Sequence, residues 1–342
     1  MMRTMWRAAL AAALLAAAAC GGDDAGDDDR AAPRDDAPAE AGAFPVTIEH
    51  AFGETTIEEA PERVVTWGWG SADAAIALDV IPVAIPFDDY AGDDEGVLPW
   101  IREAVEAKGA ELPARLPKTQ ELPVEAVLSY EPDVVLAAYS GLTQEEYDAL
   151  TAAGVAVVAY PGEAWSTPWR DLIEIVGKAL GRSEEAAALL EDIDDQVAAA
   201  AAANPELAGK SVALVWDAAD TFYVYKAADA RAEFLLDLGM VTAPSVDELA
   251  TDESTFYFTL SKERLGELES DVLVAFADTQ AQMDAFLESD YAQLMSQVRD
   301  GRVAQVVGPD FVSAVSPPTA LSLTWGLEEY VRLIAEAAAV AG

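Results

Sequence analysis

The chain has 342 residues, with 62 Asp and Glu against 20 Lys and Arg, a formal net charge of −42, one His and one Cys. That balance argues against a nucleic-acid partner, because neutralising phosphates needs clustered Lys and Arg, and it disfavours anionic lipid surfaces for the same reason. A single Cys leaves no internal disulfide, and after a leader and a tether about 300 residues remain, enough for one large or two medium domains.

In chain order, residues 1–20 read as an export signal. Arg3 and Arg7 precede a short apolar run (Ala8–Ala19) that ends in small residues at Cys20. The run is too short to span a bilayer as a mature helix. Small residues finishing at Cys resemble a bacterial lipoprotein signal, in which Cys20 becomes the lipidated first residue and acyl chains hold the protein on the membrane. The alternative is an ordinary secretory signal that leaves Cys20 as a free thiol. Residues 21–43 (GGDDAGDDDRAAPRDDAPAEAGA) are poor in apolar side chains and predict a disordered acidic tether. The overall acidity fits a host living at high salt, or simply a solvated acidic surface.

From Phe44 the texture turns globular. FPVTIEHAF and ETTIEEA predict a hairpin, RVVTW and VIPVAI buried strands, and SADAAIALD a helix between them. Two further units follow, VEAVLSY into DVVLAAY and TQEEYDALTAAG into VAVVAY. After Tyr160 the strands stop: PWRDLIEIVGKALG and SEEAAALLEDIDDQVAAAAAAN predict two helices. The second is a long one with Ser183 as N-cap and Asn204-Pro205 as its stop. From Lys210 the strand-helix texture returns through SVALVW, TFYVYK, ARAEFLLDLG, SKERLGEL, DVLVAFA, GRVAQVVG and a closing helix, LSLTWGLEEYVRLIAEAA. One local repeat links the halves: Glu125 precedes Asp133 by eight residues and Glu263 precedes Asp271 by eight, each Glu opening a short helix that runs into a buried DV-led strand.

The expected fold is therefore α/β, two Rossmann-like lobes with parallel-rich sheets bridged by a single long helix, with a ligand cleft between the lobes. The expected boundaries are 44–170 for the first lobe, 171–208 for the bridging helices and 209–342 for the second lobe. His50 lies in the hairpin, outside the strand-helix units, so no nucleophile has a His partner where it would need one, and an enzyme is not expected. GWGSAD lacks the third Gly of a dinucleotide fingerprint and the frame of a nucleophile elbow. No cofactor and no bare metal site are expected, since selective transition-metal sites lean on His and Cys. Aromatic residues instead gather at strand ends, where open α/β folds hold ligands. Trp69, Tyr139 and Tyr257 read as cleft residues, while those inside strands, such as Trp67 and Tyr223, read equally as core. Lys118, Thr119, Lys226 and Arg231 fall in loops near the same ends.

These pieces as a series, VTIEHAFGETTIEEAPERVVTWGW, EAVLSYEPDVVLAAYSGLTQEEYDAL and PWRDLIEIVGKALGRSEEAAALL, resemble the iron-siderophore substrate-binding lipoproteins of ABC importers. The resemblance implies a ferric siderophore held between two lobes that close only modestly. It implies Glu125 and Glu263 as the acids that dock arginines of a membrane permease, which works with its ATPase, and a monomer lipid-anchored on the outer face of the cytoplasmic membrane. It places Trp69, Phe87, Thr119, Tyr139, Trp216 and Tyr257 along the cleft, and the strand-end and loop positions of Tyr90, Lys118, Tyr225 and Arg231 add these four to the expected ligand-binding set. Sparse local cations lean the ligand toward a neutral or cationic ferric hydroxamate. The alternatives are cobalamin or haem on the same scaffold, a surface lipoprotein without transport, and an exported hydrolase.

Overall fold

The computed structural model describes residues 39–218, 221–251, 254 and 256–341; Cys20 and most of the acidic tether lie outside the described residues. The last part of the expected tether is docked rather than free. The Glu40 amide donates to the Gly181 carbonyl at 2.8 Å, its carboxylate accepts the Glu184 amide, and Ala43 and Phe44 lie against Gly181.

The chain enters through an antiparallel hairpin, β1 (Val46–His50) with β2 (Gly53–Ile57). His50 is buried there, its Nε2 2.9 Å from Thr55 Oγ1, and the Thr55 hydroxyl donates to the Val157 carbonyl at 2.6 Å. The one histidine thus helps fasten the hairpin to the first sheet. Burial lowers its pKa, since the charged imidazolium would be desolvated.

The first sheet is built from β3 (Val64–Thr66), α1 (Ser71–Ala77), β4 (Ala84–Ile85), α2 (Pro99–Ala107), β5 (Ala114–Arg115), α3 (Val124–Ser129), β6 (Val134–Ala137), α4 (Gln144–Ala152) and β7 (Ala156–Ala159). Its order is β5-β4-β3-β6-β7 and every pair is parallel. β3 and β6 are buried at every position, which is why they read as unbroken apolar runs. The expected strand over VIPVAI shrinks to Ala84–Ile85: the Val80 amide closes α1 onto the Ala75 carbonyl, and Pro82 has no amide to give a ladder. A reciprocal cap opens α4, with Thr143 accepting from the Glu146 amide and the Glu146 carboxylate accepting from the Thr143 amide.

Two helices leave this sheet, α5 (Trp169–Ala179) and α6 (Ser183–Ala203). Ser183 is the first helical residue of α6, not its N-cap. Arg182 holds the cap position and the Glu40 carboxylate supplies the acceptor that a capping Ser would have supplied. At 1.5 Å per residue the 21 residues of α6 make a rod of about 31 Å. It buries Ala186, Ile193 and Val197 on one face and stops at Asn204-Pro205 as expected.

The second half contains β8 (Ser211–Ala218), β9 (Thr221–Tyr225), α7 (Ala230–Asp237), β10 (Val241–Thr242), α8 (Pro244–Leu249), β11 (Tyr257–Thr259), β12 (Val272–Ala277), α9 (Gln280–Glu288), α10 (Ser296–Asp300), β13 (Val303–Val307), α11 (Pro309–Val315) and α12 (Ser322–Val340). The sheet order is β11-β9-β8-β12-β13, with β10 beside the start of β8. β10, β12 and β13 run parallel in the β8 direction, while β9 is antiparallel to β8 and β11 antiparallel to β9. SKERLGEL forms a 3-10 turn over Lys262–Glu267 instead of an α-helix: it contains Gly266 and leaves at once through extended Leu268 toward β12.

The Glu-to-Asp repeat has a common structural cause. Asp133 accepts from the Glu62 and Arg63 amides at 2.8 and 3.0 Å, just ahead of β3. Asp271 accepts from the Ser211 amide and hydroxyl, both at 2.8 Å, where β8 begins. In each half the Asp before one central strand satisfies the amides at the start of its parallel neighbour, and those amide donors help hold the Asp271 carboxyl below its ordinary pKa.

Alternate strand residues face opposite ways. Val65, Val135 and Val157 pack an outer core of the first sheet, and Ala213, Val215 and Leu273 an outer core of the second. The opposite faces, with Val64 and Leu136 from one sheet and Val212, Val274 and Val306 from the other, belong to one continuous core that also takes in α5, α6 and Tyr330 of α12. Inside this region Asp73, 2% exposed, accepts on Oδ1 from the Trp100 indole at 2.6 Å and from the Thr319 hydroxyl, so one buried oxygen ties α1 to the segment before α12. Burial pushes the Asp73 carboxyl up to about 6 even though both hydrogen bonds pull it down.

Candidate functional site

A cavity of about 540 Å³ opens at the strand ends, between loops of the first sheet and the β8-β9-β11 part of the second. Its volume lies in the range of small-molecule sites. From the first half come Tyr139, two residues past β6, and Trp165, Ser166, Thr167 and Pro168, which lead into α5. From the second come Trp216 in β8, Tyr223 and Tyr225 in β9, Asp229, Arg231 and Glu233 around the start of α7, Phe256 and Tyr257 at β11, and Pro317.

The aromatic walls follow from strand geometry. Residues two apart on a strand share a face, so Tyr223 and Tyr225 both reach the cavity, and pairing sets Trp216 opposite Tyr223 and Tyr257 opposite Tyr225. Ring packing supports the same wall: Tyr223 meets Tyr257 edge-on at 5.4 Å, and Phe276 backs both Trp216 at 6.1 Å and Tyr225 at 6.2 Å. Across from it Trp165 is 51% exposed and sits in the left-handed region at φ 59°. It packs edge-on against Tyr139 at 5.8 Å and lies so close to Gly141 that a Cβ there would fall 2.6 Å from the indole nitrogen. A large aromatic side chain held exposed in a disfavoured backbone conformation is the kind of feature that accompanies ligand contact.

Arg231 is the cation of the cavity wall. Its Nη1 donates to Asp229 at 2.7 Å, its Nε donates to Ser316 Oγ, and its guanidinium lies 4.3 Å from the centre of the Tyr225 ring. Nη2 makes no hydrogen bond to a described residue and remains for the cavity. Asp229 also caps α7 by accepting from the Arg231 amide at 2.9 Å. Burial opposes the Arg231 charge, but Asp229 and Tyr225 outweigh it and hold the guanidinium above its ordinary pKa; burial likewise raises Asp229 against the pull of Arg231. Burial also raises the phenols of Tyr139 and Tyr225, so both stay protonated at neutral pH.

Of the residues expected along the cleft, Tyr139, Trp216, Tyr225, Arg231 and Tyr257 line this cavity. Trp69 lies beside it: its indole donates to the Pro317 carbonyl at 3.1 Å, and it borders a separate void of about 10 Å³ that shares Tyr139 and Pro317. Tyr90 reaches across from the first half to donate to Asp278 at 2.5 Å, outside the lining. Phe87 packs on Gly96, Lys118 pairs with Asp89 at 2.6 Å on the surface, and the exposed Thr119 hydroxyl donates to the Glu121 carbonyl at 2.7 Å; none of the three lines the cavity. The Lys226 ammonium donates to the Thr251 and Ser254 carbonyls. Glu125 and Glu263 are exposed in the first turns of α3 and of the 3-10 turn.

The sequence reading missed Asp229, Glu233 and Pro317 as lining residues, and it left Trp165, Tyr223 and Phe256 without a role in the site. The crowding of Trp165 between Pro161 and Pro168 was a signal for a constrained aromatic loop; nothing local marks Glu233, which sits on a helix that reads as amphipathic. Among the described residues no group of three or more His, Cys, Asp or Glu is arranged to hold a metal ion.

In sequence, the chain is 27% identical over 165 residues to the Fe(3+) dicitrate-binding periplasmic protein FecB of Escherichia coli strain K12, covering 48% of this chain and 52% of that protein. It is 28% identical over 171 residues to the ferric enterobactin-binding periplasmic protein FepB of E. coli O6:H1, covering 48% and 51%. The chain thus spans about half the length of the curated relatives it matches. In structure it is similar to PiaA, an iron uptake ABC transporter substrate-binding protein of Streptococcus pneumoniae TIGR4, solved in complex with ferrichrome, with a TM-score of 0.77 and 32% identity over 87% of this chain and 100% of that one. A periplasmic solute binding protein of Mycobacterium smegmatis gives a TM-score of 0.74 at 25% identity, over 86% and 98%. The periplasmic binding protein profile matches residues 64–306, and with the two-sheet architecture and the cavity between its strand ends this establishes that the chain belongs to the periplasmic binding protein family.

Proposed function

We propose that this protein is the extracytoplasmic substrate-binding lipoprotein of an ABC importer, that it captures a ferric siderophore, with a lean toward hydroxamates, and that it delivers it to the membrane permease. The observation that carries the reading is an aromatic cavity with a single guanidinium whose charge is already balanced. Flat rings suit a large, partly apolar chelate, and the free Nη2 of Arg231 suits a hydroxamate or carboxylate oxygen without adding much net charge. Similarity to PiaA, solved with ferrichrome, points the same way. His50 sits in the hairpin against Thr55 and is not among the residues that line the cavity, which disfavours the haem alternative.

Docking is assigned to Glu125 and Glu263. Both are exposed, both sit in the first turn of a helical segment, and they occupy matching places in the two halves. Two acids at separate points on two lobes fix orientation on a basic partner. Lipidation at Cys20, anchoring on the outer face of the cytoplasmic membrane and a monomeric state complete the proposal. Loss of membrane association in Cys20→Ala tests the anchor.

The central test is quenching of tryptophan fluorescence by a panel of ferrichrome, ferrioxamine B, a ferric catecholate, haem and cobalamin. Quenching at micromolar ferric hydroxamate is expected. Silence toward every iron chelate overturns the reading.

A further inference from the structure

The charges around the cavity do not cancel, and the excess has a sign. Each cation there is committed: Arg231 to Asp229 at 2.7 Å, Lys262 to Asp217 at 2.8 Å, and Lys226 to two carbonyls. Glu233 is different. It lines the cavity from α7, beyond Arg231, yet its carboxylate makes no hydrogen bond or ion pair to any described residue. The nearby Arg170 guanidinium is held by Asp194 and Asp237 at 2.7 and 2.9 Å. Outside the lining, Asp278 accepts from a neutral hydroxyl, that of Tyr90, and has no cation partner among the described residues. A half-buried carboxylate with no partner is costly unless something supplies a donor or a positive charge.

Resting on the siderophore reading above, we propose that Glu233 is a specificity-determining residue that selects ferric chelates carrying a protonated amine and disfavours polyanionic ones. The cavity wall then offers two complementary features: hydrogen-bond donors on Arg231 for the oxygens of the chelate, and an unpaired carboxylate for a cationic arm. A polyanionic chelate meets Glu233 with no free cation among the described lining residues to offset it. Charges a few to ten ångströms apart in such a cleft interact strongly enough to shift affinity about tenfold.

The test compares ferrioxamine B, which has a free terminal amine, with N-acetyl ferrioxamine B, which differs only in having that charge removed. Ferrichrome serves as a neutral reference, and titrations are followed by tryptophan fluorescence at pH 8 with the full mature chain. Wild type is expected to prefer the amine form by about tenfold, the preference shrinking as salt is raised from low to high. In Glu233→Gln the ratio of the two affinities should fall to within about twofold, whatever the substitution does to each affinity separately, while Glu233→Asp keeps part of the preference. Equal affinities in wild type, or a preference that survives in Glu233→Gln, overturns the proposal and leaves the siderophore reading standing. Absence of binding by all three chelates overturns both.

Discussion

The two sheets reach the cavity by different means. The first is parallel throughout and contributes only through loops beyond its strands, at Tyr139 and at Trp165 to Pro168. The second adds an antiparallel ribbon, β9 and β11, to a parallel set, and carries Trp216, Tyr223, Tyr225 and Tyr257 directly on paired strands. A ladder fixes both the spacing and the facing of its side chains, so this wall is formed before any ligand arrives, whereas the loop-borne wall depends on local contacts such as Trp165 on Gly141. On the proposed siderophore reading, the comparison weights recognition toward the second half, with the first half as a cover.

The proposed docking treats the halves as equals, which gives the largest expected effect. Glu125→Arg with Glu263→Arg should abolish uptake in cells while ligand affinity of the purified protein stays within about twofold; normal uptake by the double variant would remove the docking assignment. Within the site the halves should separate. Trp216→Ala or Tyr225→Ala is expected to weaken ferric hydroxamate binding by about 30- to 100-fold, and Trp165→Ala by about tenfold, measured by isothermal titration. Equal losses on the two sides would break the idea of a preformed wall facing a cover.

A smaller effect concerns the buried tie between the halves. The Asp73 carboxyl titrates at about 6 when folded, above its ordinary value of 3.8, so the folded state takes up a proton first and this group adds stability as pH falls from about 6 toward 4. Both donors end on Oδ1, which an amide oxygen can replace. Asp73→Asn should therefore be more stable than wild type at pH 7 by about 2 kcal/mol as an order of magnitude, with the difference vanishing near pH 4. Urea melts at the two pH values measure it, and a pH-independent difference would show that the carboxyl does not titrate in this window. The smallest effects are expected at Phe87, Lys118 and Thr119, which lie off the cavity: Lys118→Ala and Thr119→Ala should change ligand affinity by no more than about twofold. A tenfold loss at either would move the site toward the first half.

Much of this was legible in the chain. Unbroken apolar runs such as Val134–Ala137 and Val272–Ala277 announced strands covered on both faces, and the Asn204-Pro205 stop bounded the long helix. The Asp133 and Asp271 repeat exposed the kinship of the halves because each does the same local work at a strand start. Half of the cleft residues expected from sequence line the cavity. Two of the misses share a cause: Lys118 and Thr119 follow a strand end in sequence, but the loop carries them to the surface, where Lys118 finds Asp89.

Sequence by itself determined most of the strands and helices, though not the short strand at Ala84–Ile85 or the 3-10 turn at Lys262–Glu267, and that the chain builds two like α/β halves, because periodicity and stop residues act within a few neighbours. Only the tertiary structure decided which aromatic rings face a common space, that Arg231 is neutralised by Asp229, and that the Glu233 carboxylate is left without a partner among the described residues. Those outcomes depend on strand register and on which distant side chains meet in a low-dielectric cleft, and no local pattern of residues encodes that meeting.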